Sequence, residues 1–411
     1  MMKLNQTNSI SFKGLINDAH LHNGHWVDAD KNLVHYSPEV LDVFTNDSLN
    51  IVVSGVKQQD TINKGLFSNL DCIVQNGTYA SEREGNMTAL NAAAKNNKLA
   101  PLAVCQPNIT GGDTSEIRRL LIENDGKFVG LKFHPRDLSM TPSGEQISAS
   151  HKWYENYMKL AQEKKLPCLF HCDSDISGAK EIYKLIQNKF KDVPVILGHT
   201  GAGSDANFNE ALEVLKSSIE NKDAKLYCDI SWLDWKNDLP DGVHSKVKTL
   251  ITELKKRDAL DRILFGTDAP LGCFGEKLKN GLSAKEAYEK TISGLKTMIK
   301  DNFGNEADEI TEKIFYKNSQ ELFFEKNWAK NNPIEPVVKK MSKTKIGLIL
   351  SSVLLATCAL LAFIFKDKIF PQKTILKTPA ANTFATPAQT IAQVPQLKAL
   401  GVDEFISLCK K

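Results

Sequence analysis

The chain has 411 residues, 42% of them hydrophobic and 25% charged, and a formal net charge of +3 at pH 7. This is the composition of an ordinary globular protein, and so small a net charge gives no reason to expect a nucleic-acid partner. The charge is unevenly spread, because residues 331–411 carry eleven Lys and four Asp or Glu, a net +7, so that residues 1–330 carry −4. The basic character belongs to the C-terminal part.

The eight cysteines lack the close paired spacings of a zinc knuckle, and most of them lie in apolar runs. We interpret them as reduced core thiols. The polar start of the chain, residues 1–14, has no signal peptide. Both features predict a reducing, cytosolic compartment for the N-terminal part.

The first apolar run, residues 16–22, reads Ile-Asn-Asp-Ala-His-Leu-His. In a strand, alternate side chains share a face, so we expect Asp18, His20 and His22 to lie on one face and both imidazoles to reach a single point. That point is a candidate metal site; an exposed strand that carries two histidines by chance is the alternative.

Short apolar runs alternate with segments of helical periodicity over residues 14–327, which follow an N-terminal extension of residues 1–13. Apolar strands separated by helices are typical of a parallel sheet covered on both faces. Eight repeats predict a closed (β/α)8 TIM barrel, and an open doubly wound sheet is disfavoured because no Gly-rich phosphate fingerprint follows the first strand. The runs are residues 15–22, 49–56, 99–107, 128–135, 166–173, 193–201, 226–232 and 263–270.

The chain beyond the eighth run begins with two predicted helices, residues 283–300 and 306–324, which would complete the barrel. Two Asn and two Pro between positions 331 and 336 then mark a linker, residues 328–345.

Residues 346–365 are twenty uncharged, mostly apolar residues between lysines, and as a helix they would be roughly 30 Å long, the hydrocarbon thickness of a bilayer. They predict a single-pass transmembrane helix; a buried helix of a soluble domain is the alternative. Lysines flank both ends, so charge does not decide the orientation, and a cytoplasmic barrel is a working hypothesis. Residues 366–411 are predicted to be a flexible tail that ends in a short amphipathic helix.

Polar side chains gather at the carboxyl ends of the predicted strands, where a parallel barrel has its active site. A buried cluster of imidazoles with a carboxylate is costly unless a metal ion or hydrogen bonds satisfy it. These positions are His20 and His22 on the first strand, Lys132 and His134 on the fourth, His171 on the fifth, His199 on the sixth and Asp268 on the eighth.

The set of motifs resembles the amidohydrolase superfamily, in particular its amidohydrolase-related branch of metal-dependent hydrolases and non-oxidative decarboxylases. The resemblance covers about residues 14–325 in the family's order. It is carried by Asp18-Ala19-His20-Leu21-His22, Gly130-Leu131-Lys132-Phe133-His134-Pro135, Phe170-His171, Leu197-Gly198-His199-Thr200-Gly201 and Phe265-Gly266-Thr267-Asp268-Ala269-Pro270.

The resemblance implies a distorted barrel that binds one divalent ion, most often Zn²⁺, with Mn²⁺ or Fe²⁺ as alternatives. It implies His20, His22, His171 and Asp268 as the ligands and His199 as an acid or base beside them. Asp268 would also accept a proton from the water that the ion activates. A second metal bridged by a carbamylated Lys132 is the less favoured arrangement.

Four further residues are candidates for substrate binding. We favour a substrate-carboxylate or structural ion-pair role for Lys132 and a second anion-binding role for Arg136. His134 could contact substrate or be a hydrogen-bonded structural residue. Trp232, in the loop after the seventh strand, is predicted to supply an aromatic wall of the pocket.

These features predict a membrane-anchored, metal-dependent hydrolase that acts on a small amide, lactone or ester. A metal-dependent decarboxylase of a small carboxylated substrate is the first alternative, because the same ligands serve both reactions. A non-catalytic, membrane-tethered binding protein is the second, because a fold does not fix a function. The expected partners are a small-molecule substrate and, through residues 346–365, a membrane; a homo-oligomer is left open.

Overall fold

The chain divides into two units, Met1–Val338 and Lys339–Lys411, and the residues that can be described all lie in the first. The computed structural model describes residues 14–27, 33–36, 43, 48–73, 80–135, 140–141, 143–173, 177–233, 245–271 and 280–325.

The described strands form one sheet in the order β10-β9-β8-β7-β6-β5-β4-β1-β2, with β3 paired to β4. Every neighbour pair from β1 through β4 to β10 is parallel. The strands are β1 (Gly14–Val27), β2 (Leu33–Tyr36), β3 (Leu49–Val53), β4 (Val56–Asn69), β5 (Leu99–Val104), β6 (Gly130–Phe133), β7 (Cys168–His171), β8 (Pro194–Gly198), β9 (Lys225–Asp229) and β10 (Ile263–Leu264).

Backbone hydrogen bonds bring the segment around β10 back to β1. Ala19 N donates to Phe265 O (2.9 Å), and Asp268 N donates to His20 O (2.7 Å). The predicted parallel α/β sheet is therefore confirmed, and its topology is consistent with a TIM-like barrel.

Helices follow most of the parallel strands and cover the outside of the sheet. Ser81 and Ser283 cap the first and the eighth of them in capping boxes with Glu84 and Glu286, a pattern that fixes where each helix begins. The helices are α1 (Glu82–Lys95), α2 (Pro107–Thr110), α3 (Ser115–Glu123), α4 (Lys152–Lys164), α5 (Ala179–Ile186), α6 (Asp205–Asn221), α7 (Ser245–Lys255), α8 (Ala284–Phe303) and α9 (Ala307–Glu312).

The second parallel strand differs from the sequence prediction. Residues 49–56 contain β3, which pairs antiparallel with the first part of β4, and the barrel strand is β4 itself. Ser54 and Gly55 form the turn between them, both with positive φ (46° and 81°), as a tight two-residue hairpin turn requires. Periodicity missed β4 because its exposed first half is polar.

A small apolar cluster fills the inside of the sheet below the polar strand ends. Leu66, Leu169 and Ile196 contribute to it from three strands. The π-helical turn Gln320–Glu325, which replaces the end of the predicted helix 306–324, adds Phe323. This apolar packing leaves the carboxyl ends of the strands as the polar end of the sheet.

No helix among the residues that the structure describes has both the length and the apolarity needed to cross a membrane. The predicted transmembrane segment 346–365, the linker 328–345 and the tail 366–411 lie outside the described residues, so these assignments and the cytoplasmic location stay predictions.

The described cysteines are buried free thiols, and the core-thiol prediction is confirmed for them. Burial raises the pKa of Cys105 well above its usual value, which makes its thiol unreactive at neutral pH. The five are Cys72, Cys105, Cys168, Cys172 and Cys228.

A buried carboxyl group lies at the start of α1. Glu82 Oε1 accepts hydrogen bonds from the Tyr157 hydroxyl and from Gln106 N, both at 2.6 Å. Burial raises the pKa of Glu82 from 4.5 to about 7, although these two hydrogen bonds oppose the shift. The unfolded chain therefore releases this proton at lower pH than the folded protein does, so the stability contributed by Glu82 falls as the pH rises from about 4.5 to about 7.

The Glu82→Gln variant should remove this pH dependence, because glutamine keeps the carbonyl acceptor and does not ionise. Relative to wild type, its free energy of unfolding should increase, which means greater stability, by about 2 kcal/mol between about pH 5 and about pH 8. Urea unfolding at the two pH values measures the change, with Glu213→Gln, at an exposed position of α6, as the control. An equal difference at both pH values would contradict the assignment.

Candidate active site

The first strand places its three polar side chains differently from the sequence prediction. A bulge in the pairing of β1 with β4 follows Asp18. The Asp18 carboxylate accepts hydrogen bonds from Thr267 Oγ1 (2.6 Å), from the Tyr288 hydroxyl of α8 (2.7 Å) and from His20 N (3.1 Å). The prediction that Asp18 shares a face with His20 and His22 is wrong, because the bulge turns Asp18 toward α8, where it supports the backbone of His20.

The buried His20 imidazole lies between a carboxylate and an ammonium group. Its Nδ1 is 2.8 Å from Asp229 Oδ2, and its Nε2 is 2.7 Å from Lys132 Nζ. A lysine ammonium only donates hydrogen bonds and a carboxylate only accepts them. The proton of neutral His20 therefore lies on Nδ1, and Nε2 carries a lone pair.

The Asp268 carboxylate contacts both histidines of β1 and Trp232. Its Oδ1 lies 2.9 Å from His22 Nε2 and 3.3 Å from His20 Nε2. Its Oδ2 accepts a hydrogen bond from Trp232 Nε1 at 2.7 Å. The other ring nitrogen of His22 is 2.9 Å from Ser68 Oγ, so both β1 histidines are held on two sides.

His199 joins the same centre from the turn after β8. Its Nδ1 lies 2.8 Å from Ser231 Oγ, and its Nε2 lies 3.1 Å from His171 Nδ1 and 3.8 Å from Asp268 Oδ1. The Ser231 hydroxyl donates its own proton to Asp229 Oδ1, at 2.5 Å. Ser231 therefore accepts the Nδ1 proton of His199, and Nε2 of His199 carries a lone pair as well.

Burial sets the protonation of these groups. Burial lowers the pKa of His20 well below its usual value, with Lys132 adding to the shift, and lowers the pKa of His199 to about 3. The pKa of His22 is lowered too, again by burial. For Asp268 burial acts in the opposite direction, but attraction to His199 and His20 holds its pKa well below the usual value. At neutral pH three neutral imidazoles face one ionised carboxylate.

His171 and His134 lie at the edge of this centre. Their rings stack with centroids 3.9 Å apart. His171 contacts His199 through Nδ1, and its Nε2 is 2.8 Å from Asp173 Oδ1. Both predicted residues therefore belong to the same buried cluster, with His171 next to Asp268 through His199.

Left-handed backbone conformations concentrate at the site. Four of its non-glycine residues have positive φ, which costs roughly 1–3 kcal/mol each and occurs where the surrounding structure imposes it, often at functional sites. They are His199 (67°), Thr200 (44°), Trp232 (64°) and Asp268 (58°).

Two glycines of the sequence motifs leave room for His20. A Cβ atom at Gly198 would lie 3.0 Å from His20 Cε1, and one at Gly266 would lie 3.0 Å from His20 Cβ. Both distances are tighter than ordinary contacts. A side chain at either position would therefore crowd His20, and at Gly198 it would also lie 2.9 Å from the Phe170 carbonyl oxygen.

Within the described residues, one group has the geometry to hold a metal ion: His20, His199 and Asp268, whose ligand atoms lie within 4.8 Å of one another. Two imidazole lone pairs and an ionised carboxylate oxygen converge there. Neutral nitrogen donors with one carboxylate suit Zn²⁺, and also Mn²⁺ or Fe²⁺. The residues present therefore fit a divalent ion, and His22 lies close enough to Asp268 to join them.

A sequence model of the amidohydrolase family matches residues 73–324, more than half of the chain. The chain belongs to the amidohydrolase family. The match includes the segments that carry Lys132, His171, His199 and Asp268, and begins after the two histidines of β1. No curated protein matches the sequence significantly.

Solved structures with similar folds include two enzymes that align over nearly their whole length. One is a probable 2-pyrone-4,6-dicarboxylic acid hydrolase from Acinetobacter baumannii, 14% identical, covering 75% of this chain and 98% of that one at a TM-score of 0.47. The other is 2,6-dihydroxybenzoate decarboxylase from Rhizobium, 13% identical, covering 76% and 100% at a TM-score of 0.48. The family assignment rests on the sequence match.

The amidohydrolase site contains most of the candidates that the sequence singled out. Eight of these residues lie in or beside the site: His20, His22, His134, His171, His199, Asp268, Lys132 and Trp232. Arg136 lies outside the described residues, and the ligand set and the carbamylation of Lys132 stay predictions.

Sequence reasoning missed Asp229, Ser231 and Ser68, which hold the imidazoles in place. A signal existed for the first two. Asp229 and Ser231 are alternate polar residues at the end of the seventh apolar run, and such residues share the inward face of a strand.

Proposed function

We propose that this chain is a metal-dependent hydrolase that acts on a small amide, lactone or ester. The observation that carries the proposal is the convergence of two imidazole lone pairs and the ionised Asp268 oxygen in a buried centre. Electron-pair donors this close together are stabilised by cations; Lys132 Nζ, 2.7 Å from His20 Nε2, supplies one, and a divalent ion would supply a second. The family to which the chain belongs is in keeping with this reading.

The proposed ligands are His20, His22, His171 and Asp268, as the family resemblance implies. A divalent ion bound there would act as a Lewis acid and lower the pKa of a coordinated water to ~7. His199 would move the proton, because its neutral Nε2 is an acceptor within the site and its Nδ1 proton is held by Ser231.

Two further side chains beside the centre are suited to contact a small substrate. Trp232 is 37% exposed, and its indole N–H donates a hydrogen bond to Asp268 Oδ2. Lys132 is fully buried against His20. We propose that Trp232 covers the substrate and that Lys132 faces its carbonyl or carboxylate oxygen, as a cation close to the reacting group would.

The test is to incubate the purified full chain, loaded with Zn²⁺ or Mn²⁺, with a panel of small lactones, esters, amides and aromatic carboxylates. We expect hydrolysis of at least one member, loss of that activity after chelation, and its return when metal is restored. Release of carbon dioxide without any hydrolysis would replace the proposal by a decarboxylase. Absence of both reactions with metal bound would favour a binding protein.

A further inference from the structure

The Asp229 carboxylate, at the end of β9, is fully buried and hydrogen-bonds to both histidines of the metal-compatible group. Its Oδ2 holds His20 Nδ1 at 2.8 Å. Its Oδ1 accepts hydrogen bonds from His199 N (2.9 Å), from Ser231 N (3.0 Å) and from Ser231 Oγ (2.5 Å). One side chain thus connects the strand ends β1, β8 and β9.

The two oxygens of Asp229 control the two rings by different routes. Oδ2 takes the Nδ1 proton of His20 directly. Oδ1 takes the hydroxyl proton of Ser231, which leaves the Ser231 oxygen to accept the Nδ1 proton of His199. In both rings the proton is drawn to Nδ1, on the side away from Asp268.

A purely structural role of Asp229 would require only one of its two carboxylate oxygens. To stabilise the left-handed turn at His199, an acceptor for His199 N and Ser231 N would suffice, and the Oδ1 atom provides it. The contact of Oδ2 with His20 Nδ1 adds nothing to that turn. Its effect is on the ring, whose opposite nitrogen faces Lys132 Nζ and Asp268 Oδ1.

We propose that Asp229 is a positioning residue that sets the tautomers of His20 and His199 together, so that both Nε2 atoms present lone pairs to the metal centre. The value of these lone pairs rests on the proposed function, since the one on His20 would bind the metal ion and the one on His199 would accept a proton beside it. The tautomers themselves do not depend on it. Partners of this kind in the outer shell of metal sites typically change metal affinity by 10–100-fold.

Asp229→Asn separates the two roles of the residue. The asparagine carbonyl can replace Oδ1 and keep the hydrogen bonds to the turn, while its NH₂ group, at the position of Oδ2, can only donate. It would face His20 Nδ1 and take away the acceptor of the Nδ1 proton, while Lys132 Nζ still opposes a proton on Nε2. Asp18→Asn is the matched control, because Asp18 is equally buried and hydrogen-bonded but its carboxylate contacts no ring nitrogen.

Two measurements on the full chain test the proposal. The first is ¹⁵N NMR of histidine-labelled, metal-free protein, with the His20 signals assigned by their loss in a His20→Asn variant. We expect the Nδ1–H tautomer in wild type and Asp18→Asn, and a mixture of the two tautomers in Asp229→Asn. The second is the affinity for Zn²⁺, which should fall roughly 10–100-fold in Asp229→Asn and much less in Asp18→Asn.

An unchanged His20 tautomer in Asp229→Asn would overturn the proposal, as would equal losses of Zn²⁺ affinity in the two variants. If wild type binds no stoichiometric Zn²⁺, the proposed function fails, and the NMR measurement still decides whether Asp229 sets the tautomers.

Discussion

Asp268→Ala and His20→Ala should each abolish stoichiometric Zn²⁺ binding and, with it, turnover. Asp268 supplies the one anionic donor of the centre, and its Oδ1 lies within 3.8 Å of three imidazole nitrogens. Without it, the centre loses one ligand and the negative charge that offsets the charge of a dication. The loss of Zn²⁺ affinity should exceed the roughly 10–100-fold loss caused by removing a residue that hydrogen-bonds to a metal ligand. Elemental analysis of the purified variants measures it.

His151→Ala is the control for these variants. His151 is a histidine of the described part that lies outside the cluster, at the N-cap of α4, where its Nδ1 accepts a hydrogen bond from Trp153 N. Its loss should cost helix stability and leave the metal content unchanged. Full metal content in Asp268→Ala would show that the converging donors are not the binding site.

The second large effect is expected for His199→Asn. A positioned acid or base contributes ~10²–10⁴-fold to the rate, so kcat should fall by that factor, with a much smaller change in KM. Because burial lowers the pKa of His199 to about 3, the imidazole is neutral throughout the neutral pH range, and the loss should appear across that range.

The metal content of His199→Asn distinguishes two causes of its lower kcat, loss of proton transfer and loss of a metal ligand. His199 belongs to the group that can hold an ion, yet the proposed ligands are His20, His22, His171 and Asp268. A variant that keeps one Zn²⁺ per chain and loses activity supports proton transfer by His199. A variant that loses its Zn²⁺ would contradict that role and make His199 a ligand.

The polar residues of β1 were predicted only in part from the sequence. Alternation along a strand correctly brought His20 and His22 to one centre, and it failed at Asp18 because a bulge shifts the register there. Alternation alone does not reveal that bulge. The bulge lies in the pairing with β4, a strand that periodicity also missed.

The sequence by itself determined the parallel α/β architecture, the family and the inventory of metal-compatible side chains. These depend on local apolar runs and on the residues at their ends. The tertiary structure decided which nitrogen of each imidazole faces the centre, since that depends on partners far away in the chain. Asp229 lies 209 residues from His20, and only the folded sheet brings the two together.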